Sequence, residues 1–174
     1  RRLDRPGKKT AAAIHQEITK EVNQLLIRVF AERRQLGHVD LEAVENAFRS
    51  ALHRAGASGL SELLQCEVPA WEQRQAPCPC GQHAQYQALR SKPLLTVLGQ
   101  ARVARPYYLC PACHSGQFPA DVELDVENTE FSPGVRRMLA LVGSEAPFDH
   151  GRRQMKLLAG LEVIVGGRTT RPCS

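Results

Sequence analysis

Apolar residues recur at steps of three and four between residues 11 and 36, and they form one stripe along a helix. This period predicts an amphipathic helix of about seven turns, which Gly37 ends. A second stripe follows Asp40, a good N-cap residue, and predicts a second helix. The first stripe comprises Ile14, Ile18, Val22, Leu25, Leu26, Val29 and Phe30, and the second comprises Leu41, Val44, Phe48, Ala51, Leu52 and Ala55.

Gly56 and Gly59 predict a break after the second helix, and the leucines within residues 60–64 indicate a short third helix. Amphipathic helices do not bury their stripes alone, so residues 11–66 are expected to form a helical domain. Two arrangements satisfy this pattern: a small core within one chain, or a homodimer in which the first stripe is the seam.

The pattern then changes from helical to extended. Residues 67–77, rich in Pro and Gln, predict a linker. Two extended runs follow at 93–99 and 101–109, and they predict a hairpin that turns at residues 99–100. Pro106 cannot donate to a strand ladder, so it is expected at an edge or a bulge.

A helix pair is predicted after an acidic connector at residues 120–130. Ser132 and Pro133 are typical of an N-cap and a first helical position, and a second helix is expected from about residue 148 to 159. Its residues expected to face inward are Met155, Leu157 and Leu158. Two such helices are typical of the start of a helix-turn-helix, but the glycines and proline within 164–174 exclude the third helix that should follow.

The predicted fold class is therefore α+β, with an N-terminal helical segment, a small ribbon and a C-terminal helix pair resembling a truncated helix-turn-helix. The predicted segments are a basic arm at 1–10, a helical domain at 11–66, a linker at 67–77, a ribbon at 78–119, an acidic connector at 120–130, the helix pair at 131–163 and an aberrant tail at 164–174.

Composition excludes some classes of protein. The chain has 174 residues, of which 43% are hydrophobic and 24% charged, so extensive disorder is not expected. No apolar run approaches the length of a membrane span, about 20 residues, and no signal peptide opens the chain, which indicates a cytoplasmic protein.

The net charge of +5 is unevenly distributed along the chain: residues 1–36 carry nine Lys/Arg against four Asp/Glu, and residues 76–119 carry four Lys/Arg against no Asp/Glu. Such blocks are typical of nucleic-acid-binding surfaces, and also of ordinary solvated faces.

Two close cysteine pairs flank the predicted hairpin. Cys78 and Cys80 precede it, and Cys110 and Cys113 follow it. A hairpin brings such pairs to one point, and four thiolates suit a structural Zn²⁺ that would supply much of the folding energy of a small segment. The cysteines therefore predict a Cys₄ zinc ribbon. Four thiolates close the coordination sphere, so no catalytic metal is expected.

Alternatives to this ligand set remain open. The first pair has one intervening residue instead of the usual two, so His83 or His114 is an alternative ligand. Reduced structural thiols or a redox pair are the remaining alternative. Cys66 and Cys173 have no partner at a metal-binding spacing and are expected to be single thiols.

Candidate DNA contacts lie on the second hairpin strand, where Arg102, Arg105, Tyr107 and Tyr108 combine charge with aromatic surface. Alternation places Arg105 and Tyr107 on one face, and Arg102 and Tyr108 on the other. Phosphate contact plus stacking suits nucleic acid, and packing of the tyrosines over the cysteines is the alternative. Further basic candidates on the helix pair are Arg136, Arg137, Arg152, Arg153 and Lys156.

No catalytic set is visible. The chain contains no phosphate-binding loop, no Gly-x-Ser-x-Gly and no His-Glu-x-x-His. Acidic residues alternate within the connector, and a solvated segment explains them better than a metal site does. These residues are Asp121, Glu123, Asp125 and Glu127.

From residue 78 onward the chain resembles the region before the catalytic domain in bacterial insertion-sequence transposases of the ISKra group. The matching stretches are CPCG at 78–81, LLTVLG at 94–99, YYLCPAC at 107–113, GQFPAD at 116–121, FSPGVRRMLALVG at 131–143 and PFDHGRRQMKLLAGLEV at 147–163. Helices like those before residue 66 are also usual in the group.

This resemblance implies a DNA-binding protein associated with the bacterial nucleoid. It assigns Cys78, Cys80, Cys110 and Cys113 as zinc ligands and implies recognition of terminal inverted repeats in double-stranded DNA. It also implies cleavage and strand transfer by an Asp-Asp-Glu core with Mg²⁺, which lies C-terminal to the matching region. The pattern departs after Val163, which predicts truncation or a frameshift and a chain inactive alone. A zinc-ribbon module for protein interaction or dimerisation is the alternative function.

Overall fold

The computed structural model describes residues 11–36, 40–145 and 147–163, and its class is α+β, as predicted. The described residues up to Arg136 form one compact unit, and those from Arg137 form a second. The predicted arm at 1–10 and tail at 164–174 lie outside the described residues. Among the described helices, none has the length and apolar character that crossing a bilayer requires.

The elements alternate from helices to a sheet and back to helices. The α helices are α1 (Ala11–Leu36), α2 (Leu41–Leu63), α3 (Pro119–Glu123), α4 (Pro133–Glu145) and α5 (Phe148–Ala159). The strands are β1 (Gln75–Pro77), β2 (His83–Thr96), β3 (Gly99–Leu109) and β4 (Gly116–Gln117), and one 3-10 turn spans Trp71–Gln73.

The first two helices form where the apolar stripes predict them, but Phe30, Leu41 and Leu52 of those stripes are exposed. The Asp40 cap is confirmed, because its carboxylate accepts a hydrogen bond from the backbone N–H of Ala43 at 3.1 Å. The predicted break is wrong, because α2 continues through Gly56 and Gly59 to Leu63. A Cβ on Gly59 would lie 3.6 Å from Cγ2 of Ile14, so α1 packs closely against this small residue. Helix packing therefore outweighs the low helix propensity of glycine.

The sheet is antiparallel throughout, in the order β1-β2-β3-β4. Its long hairpin turns at residues 97–98 and not at 99–100, because Thr96 pairs with Gly99. The Thr96 hydroxyl closes this turn: it donates to the Gly99 carbonyl at 2.8 Å and accepts from the Leu98 N–H at 3.2 Å. β2 is longer than predicted and contains a bulge between Tyr86 and Ala88.

The edge of β3 is covered by the end of α2. Because β4 pairs only with Tyr108 and Leu109, β3 is an edge strand at Pro106, as expected. Further along, Gln65 receives a hydrogen bond from the Ala104 N–H at 3.1 Å and donates one to the Arg102 carbonyl at 2.9 Å. Its amide thus takes the place of a neighbouring strand.

The segment after β4 is more ordered than the predicted connector. Residues 119–123 form α3, and Asp121 is buried instead of solvated. Further on, Val126 packs with Leu94 and Val103 in one of the core clusters of the sheet. The alternating acidic residues therefore do not share one environment.

In the second unit, α5 ends at Gly160, which has the left-handed backbone (φ +66) typical of a C-cap. Met155 is buried, as expected, but Leu157 and Leu158 are 72% and 74% exposed, so their predicted inward orientation is wrong. Gly151 and Met155 define the buried side, and Leu157 lies two residues further, about 200° around the helix. No contact among the described residues explains the exposure of Leu158.

Candidate metal centre

Two tight turns bring the cysteine pairs together. In the first, between β1 and β2, the Cys78 N–H donates to the Gln82 carbonyl at 2.9 Å and the Gly81 N–H donates to the Cys78 carbonyl at 2.9 Å. Gly81 has a φ of +84°, which favours glycine at this position. In the second, between β3 and β4, the Cys110 N–H donates to the Ser115 carbonyl at 3.0 Å.

The four thiols converge on one point. All four Sγ atoms lie within 4.8 Å of one another, and the group consists of Cys78, Cys80, Cys110 and Cys113. The Sγ atoms of Cys78 and Cys113 are 3.5 Å apart, and those of Cys80 and Cys110 are 3.7 Å apart. A regular tetrahedron with Zn–S bonds of ~2.3 Å has edges of ~3.8 Å, so the donor set fits a tetrahedral metal ion.

The site combines a buried and an exposed side. Cys78 and Cys110 belong to a core cluster with Ala76, Ala84 and Tyr108, whereas the other two cysteines are exposed. Each turn thus contributes one buried and one exposed cysteine. A metal ion here would join the two turns at one end of the sheet, where the apolar core is small.

Ser115 favours ionisation of two thiols. Its hydroxyl lies 3.1 Å from Sγ of Cys113 and 3.4 Å from Sγ of Cys78. This contact lowers the pKa of Cys113 to about 6 and also lowers the pKa of Cys78. At Cys80 the backbone N–H of Gln82 lowers the pKa, but hydrogen bonds with Cys78 and Cys113 outweigh it and raise the pKa to about 12. A bound cation would favour ionisation of all four thiols.

The other metal-ligand candidates lie elsewhere. His83 and His114 are exposed, and neither belongs to the cluster that the described residues form. Cys66 is half-buried at the end of α2, where its backbone N–H donates to the Ala104 carbonyl at 2.9 Å. Burial raises the pKa of its thiol, which makes it a poor nucleophile. Cys173 lies outside the described residues.

Two predicted DNA contacts are interior residues instead. Arg105 is buried: Nε donates to Oδ1 of Asp121 at 2.5 Å, and Nη1 donates to the Arg90 carbonyl at 2.9 Å. Tyr108 is also buried, and its hydroxyl donates to the Gln73 carbonyl at 3.0 Å. Their burial does not fit the predicted role of either residue as a contact to nucleic acid.

The other residues of β3 differ in exposure. Tyr107 is half-buried under Arg90, whose guanidinium carbon lies 3.7 Å from the ring centroid. Arg102 is exposed, and its backbone is fixed by a hydrogen bond from its N–H to the Ser61 hydroxyl at 3.0 Å and by the contact with Gln65. Arg102 therefore presents a charge to solvent from a rigid strand.

The basic residues of the helix pair lie on its surface, with one exception. Arg137, Arg152, Arg153 and Lys156 are exposed, whereas Arg136 is half-buried and pairs with Asp125. Within the second unit, Lys156 lies 2.7 Å from Glu162. This contact lowers the pKa of Glu162. Such exposed pairs contribute little stability and exchange readily for another anion.

Several residues with a clear structural role were not identified from the sequence. Ser115 contacts two of the thiols, Gln65 covers the edge of β3, and Asp121 pairs with both Arg105 and Lys92. Pattern alone did not distinguish them from ordinary polar residues. Trp71 carried a signal, because a lone tryptophan is unusual in a linker.

Comparison of the chain with models of known protein families, with curated proteins and with solved structures found no match.

Proposed function

We propose that this chain is the zinc- and DNA-binding region of an insertion-sequence transposase similar to the ISKra group, and that it recognises the terminal inverted repeats of its element. The observation that carries the proposal is the convergence of four cysteine Sγ atoms at the end of a long hairpin whose exposed surface includes Arg102. The proposed metal is Zn²⁺, which takes four thiolates in this geometry in structural sites.

The role of the metal is structural. When bound, the ion supplies four Zn–S bonds that join the β1–β2 turn to the β3–β4 turn. The metal would thus fix one end of the β2–β3 hairpin, while Ser61 of α2 and Gln65, just after α2, hold the edge of β3. Both side chains bond the backbone of Arg102, which keeps it in place for contact with a phosphate.

Contact with DNA is assigned to the exposed basic residues. These are Arg102 in the first unit and Arg137, Arg152, Arg153 and Lys156 in the second. Their contacts are expected to be mainly with phosphates, so added salt should weaken binding steeply. Arg105 and Tyr108 are not included, because both are buried.

The proposal assigns no catalytic residue to the described part of the chain. In ISKra-group transposases, an Asp-Asp-Glu core with Mg²⁺ performs cleavage and strand transfer, and that core lies C-terminal to the region that this chain resembles. The described residues are accordingly proposed to bind and position DNA.

A second candidate function is a protein-interaction module that forms a homodimer through residues 11–66. The observation that favours it is the apolar surface that the α1–α2 hairpin leaves exposed. Ile27 is 69% exposed, Phe30 53% and Leu52 54%. Sedimentation of the purified chain tests this candidate, because substitution of Ile27 and Leu52 by Ser should convert a dimer to a monomer.

A mobility-shift assay separates the two functions. The zinc-loaded chain should retard a duplex that carries the inverted repeat more strongly than a scrambled duplex of the same length. The double variant R152A/R153A should lose affinity for both, while K20A, which removes an exposed charge from α1, should bind like the parent. Absence of retardation at low salt would contradict the DNA-binding proposal and leave the interaction module.

A further inference from the structure

Trp71 is the single tryptophan of the chain, and it is 79% exposed, more than any other large hydrophobic residue whose side-chain exposure the structure describes. Tryptophan usually buries most of its surface, because its ring is the largest apolar group that a protein can remove from water. Exposure alone has no functional meaning on a mobile loop. Whether the exposure of Trp71 has a function therefore depends on how firmly the turn that carries it is held.

The turn that carries Trp71 is anchored on both sides. Pro69, just before it, is buried. At its end the Gln73 carbonyl accepts a hydrogen bond from the Tyr108 hydroxyl at 3.0 Å, and the Arg74 carbonyl accepts one from the Tyr86 N–H at 2.9 Å. Trp71 is thus presented to solvent from a fixed element, next to the core of the metal centre.

Trp71 is also part of a group of two aromatic rings and one cation, which we call the Trp71 ladder (Trp71, Arg74 and Tyr86). The guanidinium carbon of Arg74 lies 5.6 Å from the Trp71 ring centroid and 5.9 Å from the Tyr86 ring centroid. The guanidinium is therefore within cation–π range of both rings. Because Trp71 is 79% exposed, its indole is open to another planar group.

The surroundings of the ladder favour an anion. Tyr86 pairs with Tyr108, and Arg102 lies six residues before Tyr108 on β3, so alternation places Arg102 on the same face of the sheet. No acidic residue occurs from 76 to 119, and the acid nearest to the ring in sequence is Glu72 on the turn itself. Six residues of strand span ~20 Å, which equals the rise of about six base pairs.

We propose that the Trp71 ladder is a stacking platform for an unpaired base, at the boundary between duplex and single-stranded DNA, while Arg102 contacts the phosphates of the adjoining duplex. This inference rests on the proposed function. An exposed indole with a cation nearby matches the flat surface of a base and its adjoining phosphate, and stacking of this kind accepts any base.

An unpaired base fits better than an intact duplex. Bases within a duplex already stack on their neighbours, so a protruding indole reaches one only at an end, a bulge or a melted step. Arg74, whose guanidinium lies within cation–π range of the indole, also supplies a positive charge for the phosphate beside that base.

The test uses the zinc-loaded full chain and three DNA probes of one sequence: a blunt duplex of about 12 base pairs, and the same duplex with a short 5′ or 3′ single-stranded extension. Because Trp71 is the only tryptophan, its fluorescence reports stacking directly. Anisotropy of a dye on the DNA reports affinity independently. The variants are W71A, W71F and R74K, with V68A as the control, since Val68 is another exposed apolar residue of the same segment.

We expect at least one extended duplex to bind about tenfold more tightly than the blunt duplex and to quench Trp71 emission. W71A should bind all three probes with the affinity of the blunt duplex, W71F should retain part of the preference because a ring remains, and R74K should weaken it because the planar guanidinium is lost. V68A should behave like the parent. Equal circular dichroism and zinc content would show that the variants fold.

Three results would overturn the inference, and they differ in what they imply about the proposed function. Equal affinity for blunt and extended duplexes, unchanged in W71A, would contradict the stacking platform but remain consistent with duplex binding. Failure of all three probes to bind at low salt would contradict both the stacking platform and the proposed DNA-binding function. Quenching of Trp71 by self-association without DNA would instead assign the ladder to a protein interface.

Discussion

Arg105 and Asp121 form a buried ion pair, with Nε of the arginine 2.5 Å from Oδ1 of the carboxylate. Lys92 approaches the same carboxylate from β2, with Nζ 3.0 Å from Oδ2. One buried carboxylate therefore pairs with two cations from the two strands of the hairpin, and it fixes α3 against the sheet. This relationship explains why a basic residue of β3 is not available to DNA.

Substitution of Asp121 by Asn should destabilise the first unit by about 3 kcal/mol, because two buried cations would lose their counter-charge. Chemical denaturation followed by circular dichroism measures this change. The matched control is E127Q, which removes an exposed acid of the same segment and should change the free energy of unfolding by less than about 0.5 kcal/mol. Equal stability of the two variants would show that the pair contributes nothing.

Gln65 is predicted to protect the edge of β3. The variant Q65A leaves the Ala104 N–H and the Arg102 carbonyl without the amide that pairs with them, and it should cost about 1–2 kcal/mol. Hydrogen exchange of the Ala104 amide should accelerate in Q65A and remain unchanged in Q85A, an exposed glutamine on β2. Unchanged exchange at Ala104 in Q65A would exclude the proposed edge cover.

Two glycines should respond to alanine in opposite directions. At Gly59 the new methyl group would make an ordinary contact with Ile14 at 3.6 Å, so G59A should stabilise the chain by about 0.5–1 kcal/mol. At Gly116 it would lie 2.5 Å from Oη of Tyr107, so G116A should destabilise the chain by about 1–3 kcal/mol. Thermal unfolding compares both variants with the parent, and shifts of the same sign would contradict the packing described for one of them.

The chain should bind one zinc ion, and the cysteine cluster should be required for it. C80S should lose most of the affinity for zinc, whereas C66S, which removes a half-buried thiol outside the cluster, should retain it. Metal analysis of the purified proteins measures the stoichiometry, and the absorption of the Co²⁺-loaded chain reports tetrahedral thiolate ligation. A C80S protein that still holds one equivalent of zinc would exclude Cys80 as a ligand.

The α+β class, α1 and the cap at Asp40 followed from local signals in the sequence, since apolar period and capping chemistry act within a few residues. The cysteine cluster was also predictable, because hairpin topology brings paired cysteines together. Local signals failed at Gly59, where the approach of α1 keeps α2 continuous.

Long-range contacts account for the remaining differences. Alternation placed Arg102 and Arg105 on opposite faces, but it did not show which face would be covered by α3. Arg105 is buried together with the carboxylate of Asp121, 16 residues further along the chain. Nothing in the spacing of the sequence identified Asp121 as its partner. Similarly, the linker prediction missed β1 and the Trp71 turn, since short elements are stabilised by the sheet on which they pack.

The affinity of the chain for the terminal inverted repeat, with and without metal, tests most directly whether a metal-bound cysteine cluster holds a DNA-binding surface, as we propose. Fluorescence anisotropy should show tight binding by the zinc-loaded chain, weaker binding to a scrambled duplex, and a steep loss of affinity as salt is raised. Removal of zinc, or the variant C80S, should abolish the preference for the inverted repeat, while C66S should retain it. Equal affinity for both duplexes, unaffected by zinc, would contradict the account.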